Sequence, residues 1–95
     1  MNEAETDEWL DSFQKAVENA GLQWFPPHVT TGPFKKEYIT CEWWVGTYNL
    51  TAFLSEEEGT ELIKVWGHRI DTEMESIPVN DVEKLIAAWR WLLGV

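Results

Sequence analysis

The amino-acid sequence predicts one α+β domain: an N-terminal helix, an antiparallel meander sheet of three to four strands, and a C-terminal helix, with both helices on one face of the sheet. Three observations predict it. Apolar residues recur at three-and-four spacing near both ends of the chain, which is the mark of a helix with one buried face. Between Glu37 and Gly67 they alternate with a period of two, the mark of strands. And 95 residues suffice for one hydrophobic core but not for two.

Residues 1–5 are polar and are expected to fray. Thr6 or Asp7 can cap a first helix whose apolar stripe is Trp9, Leu10, Phe13, Ala16, Val17 and Ala20. Asp7, Glu8 and Asp11 crowd its first turns, where the positive end of the helix dipole favours carboxylates. Gly21 stops it. From Leu22 to Lys36 the chain carries Pro26, Pro27, Gly32 and Pro33, which break regular pairing. Its aromatics Trp24 and Phe25, with Leu22, are expected to fold back onto the helix, so the segment reads as an ordered loop with one edge strand at most.

The meander follows. Ile39, Cys41 and Trp43 fall on one face of its first strand and Tyr38, Thr40, Glu42 and Trp44 on the other. Gly46 sits at the reversal, and Tyr48, Leu50, Ala52 and Leu54 resume the alternation. A second reversal is expected around Gly59, with Glu56, Glu57 and Glu58 in solvent. Leu62, Lys64 and Trp66 then alternate with Ile63 and Val65, and Trp43 and Trp66 are the expected sheet-core indoles. Arg69, Asp71, Glu73 and Glu75 alternate with Ile70, Thr72, Met74 and Ser76, which reads as a fourth strand whose charges guard a sheet edge. Pro78 ends the sheet. Asn80, with Glu83 three residues on, reads as a capping box opening the last helix, whose stripe is Val82, Leu85, Ile86, Trp89, Leu92 and Leu93 and whose stop is Gly94.

Seven basic side chains against seventeen acidic ones leave a net charge of −10. Binding nucleic acid or an anionic membrane needs a basic stripe, and Lys35–Lys36 is the one adjacent basic pair. Direct binding to either is therefore not expected, whereas an acidic surface suits a basic protein partner. At 44% hydrophobic residues the chain is too apolar for disorder. No run approaches the ~18 apolar residues of a membrane span, and the first residues lack the basic start and apolar middle of a signal peptide. A cytoplasmic location is the expectation. It agrees with the single cysteine, Cys41, which can form no intramolecular disulfide.

The residues that could carry chemistry are few. His28 and His68 are forty positions apart and no closely spaced ligand pair accompanies them, so no metal is expected. Cys41 shares a strand face with Ile39 and Trp43 and reads as a small buried hydrophobe rather than a nucleophile. Glu73 and Glu75 share a strand face but read as solvated edge charges. Gly46, Gly59 and Gly67 are isolated turn glycines, with no phosphate-cradling loop. No nucleophile, base and orienting group can be named together, and the chain is read as a non-enzyme without a cofactor.

The segments Glu42-Trp43-Trp44-x-Gly46, Lys64-Val65-Trp66-Gly67, Glu73-Met74-Glu75 and Trp89-x-Trp91-Leu92 form an ordered series of tryptophans and glycines across residues 37–93. In this series the chain resembles a group of small acidic bacterial and phage-type α+β proteins. The resemblance implies a strand-strand-strand-helix run and carries no activity or site residue.

Seven tryptophans are many for so short a chain. Trp9 and Trp89 belong to helix stripes and Trp43 and Trp66 to the sheet, but Trp44 and Trp91 fall off those stripes. Exposed aromatic anchors are enriched at interfaces. The resulting expectation is a protein-binding module of inhibitor, immunity or anti-defence type that docks on a basic partner, itself in some cases a nucleic-acid-binding protein. Its expected contact residues are Trp44, Tyr48 and Trp91 with Glu56, Glu57, Glu58, Asp71, Glu73 and Glu75, and a homodimer through the same aromatics is the variant. The alternative is a small-ligand or nucleotide sensor with a cleft lined by Trp44, Tyr48 and His68.

Overall fold

In the computed structural model, which describes residues 3–31, 38–55, 60–66, 74–78 and 80–95, a helix, α1 (Glu3–Asn19), precedes five strands and a closing helix. The strands are β1 (His28–Thr31), β2 (Tyr38–Val45), β3 (Tyr48–Ser55), β4 (Thr60–Trp66) and β5 (Met74–Pro78), and the closing helix is α2 (Val82–Leu93). Every neighbouring pair is antiparallel and the spatial order is the chain order. The α+β class and the helix-meander-helix order thus stand, with β1 adding a fifth strand at one edge.

α1 starts at Glu3, ahead of the expected cap, so Thr6 lies inside the helix and is buried. Acidic residues suit those first turns for the dipole reason given above. Its end is set at Gly21, whose φ of 75° a side chain with a Cβ rarely adopts. There the Gly21 amide donates to the Glu18 carbonyl (3.0 Å) and the Leu22 amide to that of Val17 (3.1 Å), satisfying carbonyls the helix would leave orphaned. α2 closes with the same pair of bonds, Gly94 to Trp91 (3.2 Å) and Val95 to Arg90 (3.0 Å).

β2 and β3 pair over their full length and meet at the two residues Gly46 and Thr47. Gly46 has φ 60° while Thr47 keeps a negative φ, the combination of a type II′ turn, whose twist matches that of the flanking strands. The register sets Trp43 opposite Leu50, Cys41 opposite Ala52 and Ile39 opposite Leu54, and all six are buried. Both helices cover this face. Phe13 of α1 meets Trp43 and Trp89 edge-on at centroid distances of 5.6 and 5.5 Å, and Trp43 meets Trp89 at 5.7 Å.

The proline-containing segment after α1 is bound into the same cluster. Trp24 stacks on Trp89 with centroids 4.9 Å apart. The Trp43 indole donates to the Phe25 carbonyl (3.1 Å) and that of Trp89 to the Gln23 carbonyl (2.9 Å). The indoles of Trp43 and Trp89 therefore each have their one donor paired, and each bond also fixes a residue of the loop.

The expected fourth meander strand is present over Met74–Pro78, and the Arg69–Glu73 part of the expected run lies outside the described residues. Three expectations are corrected. The cap of α2 is Asp81, not Asn80: its carboxylate accepts from the Lys84 amide (3.2 Å), placing Lys84 where a capping box would need the glutamate. Val82, at the first helical position, points off the buried stripe and is half exposed, leaving Leu85, Trp89 and Leu92 to form it. On β4 the register sets Val65 opposite Leu50 and Trp66 opposite Asn49, so the position in line with the core pair is Val65.

Candidate functional site

The second face of the sheet, read from the sequence as partly exposed, divides into two. Thr40, Asn49 and Thr51 are buried although their positions alternate with the core residues. Asn49 donates through Nδ2 to the Trp43 carbonyl (3.1 Å) and accepts from the Thr51 hydroxyl, so both its nitrogen and its oxygen have a protein partner. Beside this polar row, at the hairpin end, Trp44 is 53% exposed. Its indole donates to Glu42 Oε2 at 3.3 Å, a bond made on the surface.

Tyr48 stands on the other side of the same hairpin. It pairs with Val45, and its ring meets Trp91 of α2 edge-on with centroids 5.1 Å apart. Tyr48 remains 40% exposed and Trp91 is half-buried. The two predicted anchors, Trp44 and Tyr48, therefore flank the Gly46–Thr47 turn from opposite faces of the sheet. This arrangement is an aromatic wedge, one ring on each face of the hairpin, with Trp91 as the buttress of one side. A single cleft lined by Trp44 and Tyr48 does not form, because adjacent strand positions project to opposite faces. His68 lies outside the described residues.

The wedge is held from within. Val45 and Tyr48 end the ladder, the Asn49 amide ties β3 to the Trp43 carbonyl one residue before Trp44, and Trp43 is anchored in the aromatic core. Trp44 is thus borne on a backbone whose two neighbouring positions, Trp43 and Asn49, are both fully packed.

Of the acidic residues expected at the site, Glu56, Glu57, Glu58, Asp71 and Glu73 lie outside the described residues. Glu75 is in β5, paired with Ile63. Ser55, the last described residue before the three glutamates, is seven strand positions from Tyr48, about 23 Å along β3. Sequence reading missed a different acidic surface. α1 carries six acidic residues and one basic, a net of −5 against −10 for the whole chain, and Glu5, Asp7, Glu8, Asp11 and Glu18 are exposed on it. The signal was present as the density of carboxylates in the first helix, but helix-dipole complementarity accounted for it. Lys15, the one base of α1, bonds Asp11 at 2.9 Å on the surface.

Cys41 is sealed beneath the helices. Burial, with the charge of Asp7 nearby, pushes its thiol up to about 12, so it stays protonated and unreactive at neutral pH. Among the described residues no group of three metal-ligating side chains converges, and no described helix is long and apolar enough to cross a membrane. Compared with known protein families, curated proteins and solved structures, the chain matches none.

Proposed function

We propose that this chain is a non-enzymatic protein-binding module, of inhibitor or immunity type, that docks on a protein with a basic surface through the aromatic wedge of its β2–β3 hairpin. The observation that carries this reading is the exposure of Trp44 and Tyr48 beside an aromatic core that has taken up five other tryptophans: Trp9, Trp43 and Trp89 are buried, and Trp24 and Trp91 are partly buried. Two exposed aromatic side chains on opposite faces of one hairpin suit contact with a protein better than they hold a metabolite, which needs a concave site. The negative charge supplies steering toward a cationic surface and discriminates against nucleic acid itself. A host factor that binds nucleic acid offers such a surface.

Affinity capture from the native host, with the wild-type chain and a Trp44→Ala/Tyr48→Ala variant as baits, tests this directly. A basic protein retained by the wild type, lost by the variant and bound more weakly as salt rises is the expected result. Equal retention by both baits, or an affinity that stays flat with ionic strength, would reject the reading.

A further inference from the structure

α1 and α2 meet through Phe13 and Trp89, whose ring centroids are 5.5 Å apart. One face of α1, from Glu5 to Ala16, and the chain entering α2, from Asn80 to Leu85, line a groove of about 400 Å³. Its floor is Trp9, Phe13 and Leu85, all nearly buried, and its exposed edges are Glu8 and Ser12 on one side and Val82 on the other. Glu5 lies at one end and Ala16 at the other. Eleven residues separate them, about 16 Å or three helical turns.

We infer that this groove seats an amphipathic helix of the basic partner, with apolar side chains on the Trp9–Phe13–Leu85 floor and lysines or arginines along the α1 edge. The inference rests on the proposed reading of the chain as a module for a basic protein, and it adds a second contact surface, separate from the hairpin wedge. Charge decides the occupant. Among the described residues, Glu5 and Glu8 are the charged ones lining the groove, no lysine or arginine lines it, and the helix that carries them has a net charge of −5. An acidic or neutral helix would meet repulsion or no attraction there, whereas a cationic one has its charges opposed while its apolar stripe is covered. Val82, half exposed at the start of α2, is the apolar contact the partner helix would bury on the far edge.

The test uses a synthetic amphipathic helical peptide with one leucine stripe flanked by lysines, titrated into the full chain and followed by backbone amide shifts. Saturable shifts at Glu8, Ser12 and Val82, with Gly46 and Thr47 unmoved, are expected. Glu8→Lys should weaken the peptide about tenfold, and Ser12→Trp, which fills the groove from an exposed position, should abolish binding while circular dichroism stays unchanged. Trp44→Ala should leave the peptide's affinity as it is, so failure of the wedge and failure of the groove give different patterns. Shifts centred on the hairpin, no saturable binding, or equal affinity for a peptide with glutamates in place of the lysines would overturn the groove assignment.

Discussion

Trp43 and Trp44 are consecutive in the chain and opposite in circumstance. Trp43 is 1% exposed, with its indole bonded to the Phe25 carbonyl and its ring against Phe13, Trp24 and Trp89. Trp44 is 53% exposed, and its indole is bonded to the surface carboxylate of Glu42. One step along a pleated strand separates a residue that holds the fold from one that the fold merely presents. What the pair teaches is that the exposed indole is not a packing leftover of a crowded core. The core has taken the neighbouring ring, satisfied its donor and closed over it, while the same backbone holds Trp44 outward.

The sharpest way to break this comparison is to truncate each ring in turn. Trp43→Ala should cost ~3–5 kcal/mol by urea denaturation, a large part of the stability of a small domain. Trp44→Ala should change stability by no more than ~0.5 kcal/mol, as expected of a surface substitution. Equal losses would mean that Trp44 is structural and would remove the reason to treat it as an anchor.

Cys41, two residues earlier on the sealed face, sharpens the contrast through pH. The unfolded thiol has its ordinary value of 9.0 and the folded one titrates near 12, so the unfolded chain gives up its proton first. The contribution is whole below pH 9 and is lost as pH rises toward 12, by up to ~1.4 kcal/mol per pH unit. Wild type should therefore lose stability more steeply than Cys41→Ala across that window; parallel curves would mean that water reaches the thiol.

A smaller effect separates another adjacent pair. Asp81→Ala should lose ~1 kcal/mol with the cap of α2, whereas Asn80→Ala should lose clearly less in the same denaturation assay. Smallest of all, Lys15→Ala should cost ~0.3–0.5 kcal/mol, since its pairing with Asp11 is a surface one on a single helix.

Much of the fold was legible before any coordinates. The period of two from Tyr38 to Leu54 placed Ile39, Cys41 and Trp43 with Leu50, Ala52 and Leu54, and the register agrees residue by residue. The stripe of α1 named Trp9, Phe13 and Val17, all buried. The misses have local causes. At the start of α2 two capping residues stand side by side, and composition does not say which carboxylate or amide will face the Lys84 amide. The edge strand allowed for in the proline-containing segment is β1, whose four residues are too few for an alternation to fix its bounds.

Periodicity and glycine placement were enough to establish the α+β class, the buried faces and the C-terminal ends of both helices, because these depend on which way a side chain leaves its own backbone. The site depended on what lies beside what. That Trp44 and Tyr48 flank one turn from opposite faces follows from the hairpin register, but that Trp91 leans on Tyr48 and that α1 and α2 leave an acid-edged groove between them came only from the packing of helices on the sheet. Contacts between residues more than forty positions apart obey no local period. They follow from how the aromatic core closes, and it closes around Trp43, Trp89 and Phe13.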